Sequence, residues 1–462
     1  MLRLANVAMP RLLIVGGGPI GLEMAVAAVL SQKWDVTILE RGTELCANVV
    51  AWEHVHLFSA WKLNMSEAGR AALRSMGVAI PECREMGEET TDADYPTGKK
   101  FLDQYLRPLG NYVSGSEHCT LLLETKVLFI GKSTQLLKGD MNKSRRKGAS
   151  FRTLVVKGET EEILISDAVV DASGTYGNGN WLGLGGIPAL GERTFAANII
   201  RIVPNVTENA ARYLNKTTVV VGSAYSAITT ISKLKDLAAA NSAEFVDVHW
   251  CTRRGNEGGS PLYEKIENDP LPQREILSKL ANILATSNGG RACLAASERM
   301  DEETKGTPTT TNFRLVYHPR SQLESISRST AYDSDSTVNI LLRDVNEIDH
   351  ATTDECHAIE GVNTVIANVG FRPDLSIFQE LQVHQCYASE GPMKLAAALL
   401  SASGAGSVDC LAQEAPGKET MVNPEPSFYI VGMKSYGRSS KFLLTIGHEQ
   451  VRHVMELLNE GI

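Results

Sequence analysis

A strand–turn–helix–strand pattern near the amino terminus constrains the fold of this chain more than any other feature. Residues 11–16 read RLLIVG, an apolar run typical of a parallel strand that is buried on both faces. Glycines at the G-x-G-x-x-G spacing follow, then the helical stretch LEMAVAAVL and the strand-like run WDVTILE. This order predicts a Rossmann-like unit that binds a dinucleotide; the alternative is a glycine-rich turn without a ligand.

Each glycine of the motif has its own physical role. Gly16 permits a tight turn, Gly18 lets the backbone approach a pyrophosphate, and Gly21 lets the helix pack closely on the strand. Between them, Pro19 and Ile20 lead into the helix, whose N-terminus offers free N–H groups to the pyrophosphate.

An acidic residue, Glu40, ends the second strand. Its carboxylate can accept hydrogen bonds from the adenosine ribose hydroxyls, and it would repel a 2′-phosphate. The site therefore suits FAD or NAD rather than NADP, and Arg41 is predicted to contact the same cofactor.

A second, weaker motif follows the strand-like residues 217–221. Ala224 stands where the second glycine is expected, so the alternative is a βαβ unit that has lost its ligand. A strand, FVDVHWC, then leads to Arg253 and Arg254, whose guanidinium groups suit the 2′-phosphate of NADPH; the alternative is a solvated turn. The predicted contacts in the loop are Gly222, Ser223, Ala224 and Ser226.

Composition excludes several classes of function. The net charge is −9 with no long basic stretch, which argues against nucleic-acid binding, and the run 143–147 is predicted to be a solvated loop. None of the eight cysteines forms a Cys-x-x-Cys pair, so neither a metal site nor a dithiol centre is predicted, and free thiols suit a cytoplasmic protein. No apolar run is long enough to span a membrane.

Three later segments resemble the two-dinucleotide flavoproteins: Val169–Thr175, which contains Gly174, Ile366–Asp374, and Phe428–Gly432. The resemblance implies FAD at the first site, NADPH at the second, and an α/β fold with two Rossmann-like domains of the three-layer ββα kind. In that fold an NADPH domain, 191–354, is inserted in an FAD domain made of 1–190 and 355–462.

Two further segments, Trp52–Trp61 and Lys434–Arg438, look like the flavin-containing and N-hydroxylating monooxygenases. They are most similar to a bacterial-type subgroup, some members of which are encoded beside arsenic-resistance genes. The resemblance implies NADPH-driven oxygenation, through a flavin C4a-(hydro)peroxide, of a small nitrogen, sulfur or arsenic nucleophile by O₂. A homodimer is among the expectations.

The resemblance also implies roles for individual residues. Asn64 would be a hydrogen-bond donor near flavin C4a, the alternative being an amide that caps a loop. Trp52 and Trp61, with His54 and His56, would line the flavin or substrate pocket; for each histidine the alternative is a structural role. The remaining predictions are that Gly432 and Lys434 contact a cofactor, with a surface loop as the alternative for Lys434, and that Cys46 is a buried inert thiol or a redox cysteine.

Two other functions stay open at this point. One is an NADPH-dependent flavin reductase or oxidase that inserts no oxygen, and the other is a non-catalytic, redox-sensing flavoprotein. Three stretches are predicted to be insertions: 138–150 at a hairpin tip, 286–312 as a mobile loop, and 401–420 as a cover for the active site.

Overall fold

The computed structural model describes residues 9–82, 94–255, 262–264, 266, 271–286, 294–295, 312–329, 337–346, 352–403 and 416–461. The chain forms two compact units. The first unit comprises Met1–Asn178 and Phe371–Ile462, and the second unit is Gly179–Gly370. The second unit is therefore inserted in the sequence of the first. Which nucleotide each unit binds, and the predicted boundaries after 190 and 354, remain predictions.

The described residues of the first unit begin with seven strands and seven helices. The strands are β1 Arg11–Val15, β2 Asp35–Leu39, β3 Cys119–Leu122, β4 Thr125–Lys132, β5 Phe151–Lys157, β6 Thr160–Ser166 and β7 Ala168–Asp171. The helices are α1 Pro19–Ser31, α2 Ala47–Val50, α3 Trp61–Asn64, α4 Glu67–Ser75, α5 Gly98–Phe101, α6 Arg107–Ser114 and α7 Lys143–Gly148, with a π-helical turn at Leu102–Leu106.

The second unit follows, and the first unit then resumes. The second unit contains β8 Ile199–Ile200, β9 Lys216–Val221, α8 Tyr225–Ala240, β10 Val246–Cys251, α9 Pro272–Thr286, β11 Leu294–Ala295, β12 Phe313–His318, β13 Ser321–Arg328, β14 Val338–Val345 and β15 Thr352–Ala367. The returning part of the first unit contains α10 Met393–Ser403, β16 Phe428–Ile430, a 3₁₀ turn at Gly432–Tyr436, and α11 Leu444–Glu460.

The central sheet of the first unit is parallel, in the order β16-β7-β1-β2-β3. Four of the five residues of β1 and all four of β7 are buried, which is the pattern of strands covered on both faces. A second, antiparallel sheet, β4-β5-β6, branches from the chain between β3 and β7. The predicted α/β fold class is confirmed here.

The second unit also has a parallel part and an antiparallel part, but here both belong to one sheet. Its parallel part has the order β12-β10-β9-β15, and its antiparallel part is β13-β14-β15. One 16-residue strand, β15, therefore belongs to both parts: its first half pairs with β14, and Val362–Ala367 pair with β9. The two short strands β8 and β11 lie beside β15 and β12.

The basic run 143–147 is not the solvated loop that the sequence predicts. It forms α7, and Arg146 is fully buried, with its guanidinium paired with Glu425. Lys132 is buried beside them, with Nζ 3.4 Å from Glu425 Oε1. One basic residue of this helical turn, Arg146, faces inward, and its acidic partner is 279 residues away in the chain. The prediction is wrong because nothing near the run in the sequence indicates that partner.

Two of the three predicted insertions, 286–312 and 401–420, lie largely outside the described residues. The third, 138–150, connects β4 to β5 and contains α7. Among the described helices, none combines the length and the hydropathy needed to cross a membrane.

Candidate functional site: two glycine loops

The first glycine loop connects β1 to α1, and its three glycines have different surroundings. Gly16 has φ +96°, and a Cβ there would lie 2.7 Å from the carbonyl oxygen of Ala172. A Cβ at Gly21 would lie 1.9 Å from the Gly16 carbonyl oxygen, so α1 packs directly on the loop. A Cβ at Gly18 would meet nothing within 4 Å. The loop is thus closed by backbone on two sides and open where α1 begins.

The carboxylate of Glu40 holds this loop from the end of β2. Oε2 accepts a hydrogen bond from Gly17 N at 2.8 Å, and Oε1 accepts one from Gly42 N at 2.7 Å. Because a carboxylate oxygen has two lone pairs, each can still accept a hydrogen bond from a ribose hydroxyl. Arg41 is exposed, and its guanidinium lies against Gly177. A Cβ at Gly177 would be 2.5 Å from Arg41 Nη1.

The N-terminus of α1 is covered by the returning part of the chain. Pro19 is the first residue of α1, and the side chain of Ile20 contacts two glycines. A Cβ at Gly432 would lie 3.3 Å from Ile20 Cβ, and a Cβ at Gly447 would lie 2.4 Å from Ile20 Cδ1. Gly432 has φ +71° and donates its N–H to Gln450 Oε1 at 2.8 Å. The turn after β16 and the first turns of α11 therefore meet the glycine loop.

The residues around this loop fit the pyrophosphate of a dinucleotide. Gly174, with φ +66°, follows β7, and like Gly18 it has no atom within 4 Å of an added Cβ. At both positions an added side chain would extend into open space, which is called the cradle. No side chain caps the N-terminus of the 13-residue α1, so its first N–H groups remain for an anion.

Cys46 is a structural residue of the same loop. It is 2% exposed, and both its backbone N–H and its thiol donate to the carbonyl oxygen of Gly17, at 2.9 and 3.5 Å. Burial raises the pKa of the thiol, and the nearby carboxylates of Glu40 and Glu23 raise it further. Because the nucleophilic thiolate is disfavoured, these contacts favour the buried inert thiol over the redox cysteine.

The two tryptophans of the 52–61 segment both pack on α5. A Cβ at Gly98 would lie 2.9 Å from Trp52 Cε3, and the ring of Trp61, which is 4% exposed, lies 6.2 Å from that of Phe101. Trp52 Nε1 and His54 Nε2 are buried without a hydrogen-bond partner among the described residues, whereas His56 is exposed and bridges to Thr97. A buried polar atom left without a hydrogen bond costs about 1–3 kcal/mol. These two nitrogens are therefore the atoms of the segment that still need a hydrogen-bond partner.

Asn64 does not have a free donor. Its side chain is 1% exposed, and Nδ2 donates to the carbonyl oxygens of Ser59 and Ala60, at 2.8 and 3.0 Å. Its Oδ1 accepts from Ser59 Oγ at 2.7 Å. Both amide hydrogens are used within the turn 59–64, so the structure favours the loop-capping alternative over a donor to the flavin.

Lys434 is also engaged inside the protein. It is 1% exposed, with Nζ 2.6 Å from Asp171 Oδ2 and 2.9 Å from Ser173 Oγ. The ammonium group therefore ties the turn after β16 to the end of β7, and Lys434 is not part of a surface loop. Its contact with a cofactor remains a prediction. Asp171 was not identified from the sequence, although it is the one charged residue at the end of the otherwise apolar strand AVVD. A carboxylate in such a buried strand needs a partner, and this was a usable signal.

A buried polar network on α1 was missed as well. Glu23 is 1% exposed and accepts hydrogen bonds from Tyr105 Oη and Ser66 Oγ. His448 of α11 lies beside it, with Nε2 3.6 Å from Glu23 Oε1. Burial lowers the pKa of His448 more than the charge of Glu23 raises it. The signal was an acidic residue inside the otherwise apolar stretch LEMAVAAVL.

The second glycine loop connects β9 to α8 and needs glycine at one position. Gly222 has φ +138°, and a Cβ there would lie 2.3 Å from the Asn368 carbonyl oxygen. The carbonyl oxygen of Ser223 accepts a hydrogen bond from Tyr263 Oη at 2.7 Å. Ala224, at the N-cap, and Ser226 are exposed, and no side chain caps the 16-residue helix. This loop too leaves its helix N-terminus accessible to an anion.

Arg253 and Arg254 lie in the turn that follows β10, and both are exposed. The backbone of this turn is fixed: Thr252 N donates to His318 O at 3.0 Å, and Thr252 Oγ1 donates to the carbonyl oxygen of Arg254. The two guanidinium groups form no ion pair with the described residues. They therefore stand at the strand end where a Rossmann-like unit contacts the adenosine ribose.

No protein-family model matches the sequence, and neither does any curated protein. Solved structures do match. The bacillithiol disulfide reductase Bdr from Bacillus cereus has a TM-score of 0.60 at 14% identity, over 98% of this chain and all of that one. The ornithine N-hydroxylase from Kutzneria sp. 744 has a TM-score of 0.55 at 12% identity, over 98% of this chain and 99% of that one. At these identities the likeness shows a shared fold over nearly the whole length of each chain.

Proposed function

We propose that the chain is an oxidoreductase that binds FAD in its first unit and NADPH in its second, and that it oxygenates a small nitrogen, sulfur or arsenic nucleophile. The observation that carries the proposal is the uncapped N-terminus of α1, where the glycine loop is held by a carboxylate that keeps lone pairs for ribose.

The residues of the first unit would each have a task with FAD bound. The N–H groups of α1 hold the pyrophosphate, and Glu40 accepts from the ribose. The packing of Ile20 against Gly432 and Gly447 fixes the returning segment over the loop. FAD held by these residues would supply hydride acceptance and reaction with O₂, which is chemistry that no protein side chain supplies.

The second unit would select the electron donor. Its uncapped helix N-terminus suits a pyrophosphate, and its two exposed guanidinium groups suit the 2′-phosphate of NADPH. The ornithine N-hydroxylase was solved with reduced FAD, NADP⁺ and L-ornithine, which supports the same pair of cofactors and the oxygenation here. Thiol chemistry at Cys46 has less support, because that thiol is buried and bonded to Gly17.

The test is coupling between NADPH and product. The purified protein is expected to show the absorption of bound FAD and to lose it on addition of NADPH under nitrogen. In air, with an amine, a thioether or arsenite, one oxygenated product is expected for each NADPH consumed. Stoichiometric H₂O₂ with every substrate would show an oxidase instead, and a colourless protein that does not bind added FAD would refute the proposal.

A further inference from the structure

A third arginine, distant in the sequence, lies against the turn that carries Arg253 and Arg254. Arg320 is in the two-residue turn between β12 and β13. A Cβ at Gly255 would lie 3.1 Å from Arg320 Nη1 and 3.4 Å from its Cγ, so the arginine side chain runs along the backbone of Gly255. Gly255 directly follows Arg254, which places the third guanidinium at the same strand end.

The two turns are held together by backbone hydrogen bonds. Because β10 and β12 are parallel neighbours with Cys251 opposite His318, both turns emerge from the same edge of the sheet. Thr252 N donates to His318 O at 3.0 Å, and Ser321 N donates to Thr252 O at 2.9 Å. The juxtaposition of the arginines is therefore built into the sheet and does not depend on flexible side chains alone.

The backbone at Arg320 gives a second indication. Its φ is +50°, a conformation that favours glycine or asparagine. A long cationic side chain at such a position costs conformational energy that glycine would avoid, and residues of this kind concentrate at ligand sites. This backbone conformation is kept at Arg320, and the turn holds its guanidinium beside Gly255.

We propose that Arg320 completes the subsite for the 2′-phosphate of NADPH together with Arg253 and Arg254, and that it determines the preference for NADPH over NADH. The inference rests on the proposed function of the second unit. A phosphate dianion offers several acceptor oxygens, which guanidinium groups from two adjoining turns can bind from different sides. The neighbouring pyrophosphate would be held separately, at the N-terminus of α8.

The experiment compares two nucleotides that differ only in the 2′-phosphate. Binding of 2′,5′-ADP and 5′-ADP to the full-length protein is measured by calorimetry with saturating FAD, so that no turnover is needed. Wild type is expected to bind 2′,5′-ADP about tenfold or more tightly than 5′-ADP, a difference of about 1.4 kcal/mol per factor of ten. In Arg320→Gln this ratio should fall towards one while the affinity for 5′-ADP stays the same.

Two variants guard the interpretation. Arg320→Gly suits φ +50° and should fold well, yet it should show the same loss of preference as Arg320→Gln. Arg343→Gln removes another guanidinium of the second unit, one that pairs with Glu324 at 2.9 Å, and it should keep the wild-type ratio. Raised salt should reduce the wild-type preference and change that of the Arg320 variants less.

The outcomes separate the two proposals. A wild-type ratio near one would overturn both the NADPH preference and the role of Arg320. A clear wild-type preference that survives in both Arg320 variants would overturn the role of Arg320 and leave the proposed function intact. An equal loss of 5′-ADP binding would show a structural effect and would also refute the assignment of specificity.

Discussion

The two glycine loops share a position after the first strand of a parallel sheet but differ in what holds them. In the first loop, Gly16 and Gly21 are required by close backbone contacts, and the carboxylate of Glu40 binds the loop. In the second loop the backbone requires Gly222, while Ala227 is fully buried and its Cβ is accommodated. Helix α8 therefore packs less closely on the end of β9 than α1 packs on the end of β1.

The charge at the end of the second strand differs as well. Glu40 has both oxygens bonded to backbone N–H groups, whereas Arg253 and Arg254 are exposed. One loop is therefore rigid and anionic at its edge, and the other is more open and cationic. The comparison teaches that a shared fold can present opposite charges at the end of its second strand, and that the side chains there, rather than the glycines, carry the difference.

The largest effect is expected from filling the first cradle. Gly18→Val should lower the affinity for FAD by about 100-fold, or about 2.7 kcal/mol, because the side chain occupies space meant for the pyrophosphate. Gly18 has φ −72°, and its added Cβ meets no protein atom, so the variant should fold normally. Flavin absorbance after gel filtration measures the loss. Gly139→Val is the control, since it also adds a side chain in open space.

The contrast in helix packing gives the next effect. Gly21→Ala should reduce the free energy of unfolding by about 1–3 kcal/mol, because its Cβ would overlap the Gly16 carbonyl oxygen. Ala227→Gly, at the matching position, should cost only about 1 kcal/mol, the usual difference in helix propensity. Urea unfolding of both variants checks this. Equal costs would contradict the claim that α1 is the more closely packed helix.

The opposite charges of the two loops predict separable losses. The double variant Arg253→Ala/Arg254→Ala should weaken NADPH binding by about tenfold, or about 1.4 kcal/mol, without changing the flavin content. Ala224→Gly should instead tighten NADPH binding by a small factor, since the backbone can then approach the pyrophosphate. Fluorescence titration with NADPH and with NADH measures both. A parallel loss of FAD in the arginine variant would contradict separate sites.

The smallest effect concerns pH and the first unit alone. Burial lowers the folded-state pKa of His448 below its unfolded value of about 6.5, so the folded state resists protonation. Stability should therefore fall as the pH drops through about 6.5 towards the folded-state pKa, and His448→Gln should lessen this dependence. Urea unfolding at several pH values checks it, with the exposed His118→Gln as control. An unchanged pH dependence in His448→Gln would count against burial as the cause.

Local sequence patterns were sufficient for the strands and helices on either side of the two glycine loops. The runs RLLIV and TTVVV are long enough and apolar enough to define buried strands, and the glycines that follow them locate the turns. The role of the carboxylate at Glu40 could be inferred because its partners, Gly17 and Gly42, lie in or directly beside the same βαβ unit.

Residues whose partners are distant in the chain could not be inferred. Arg146 looked like part of a solvated basic run because its partner, Glu425, is distant in the sequence. The ion pair of Lys434 with Asp171 could not be inferred for the same reason. Asn64 is a different case, since its partners are close in sequence, and only the geometry of the turn shows that both amide hydrogens are used. A sequence shows which side chains carry a charge or an amide. The tertiary structure decides which residue becomes the ion-pair or hydrogen-bond partner.

The pairing of β16 with β7 has a consequence for the order in which the protein forms during synthesis. The edge of the first sheet is completed by residues 428–430, which are translated after the whole second unit. The second unit is continuous in sequence, so all of it is translated before the first unit is complete. Until then, the edge of β7 that later pairs with β16 stays uncovered. The first sheet therefore reaches its full strand order only after residues 428–430 have been translated.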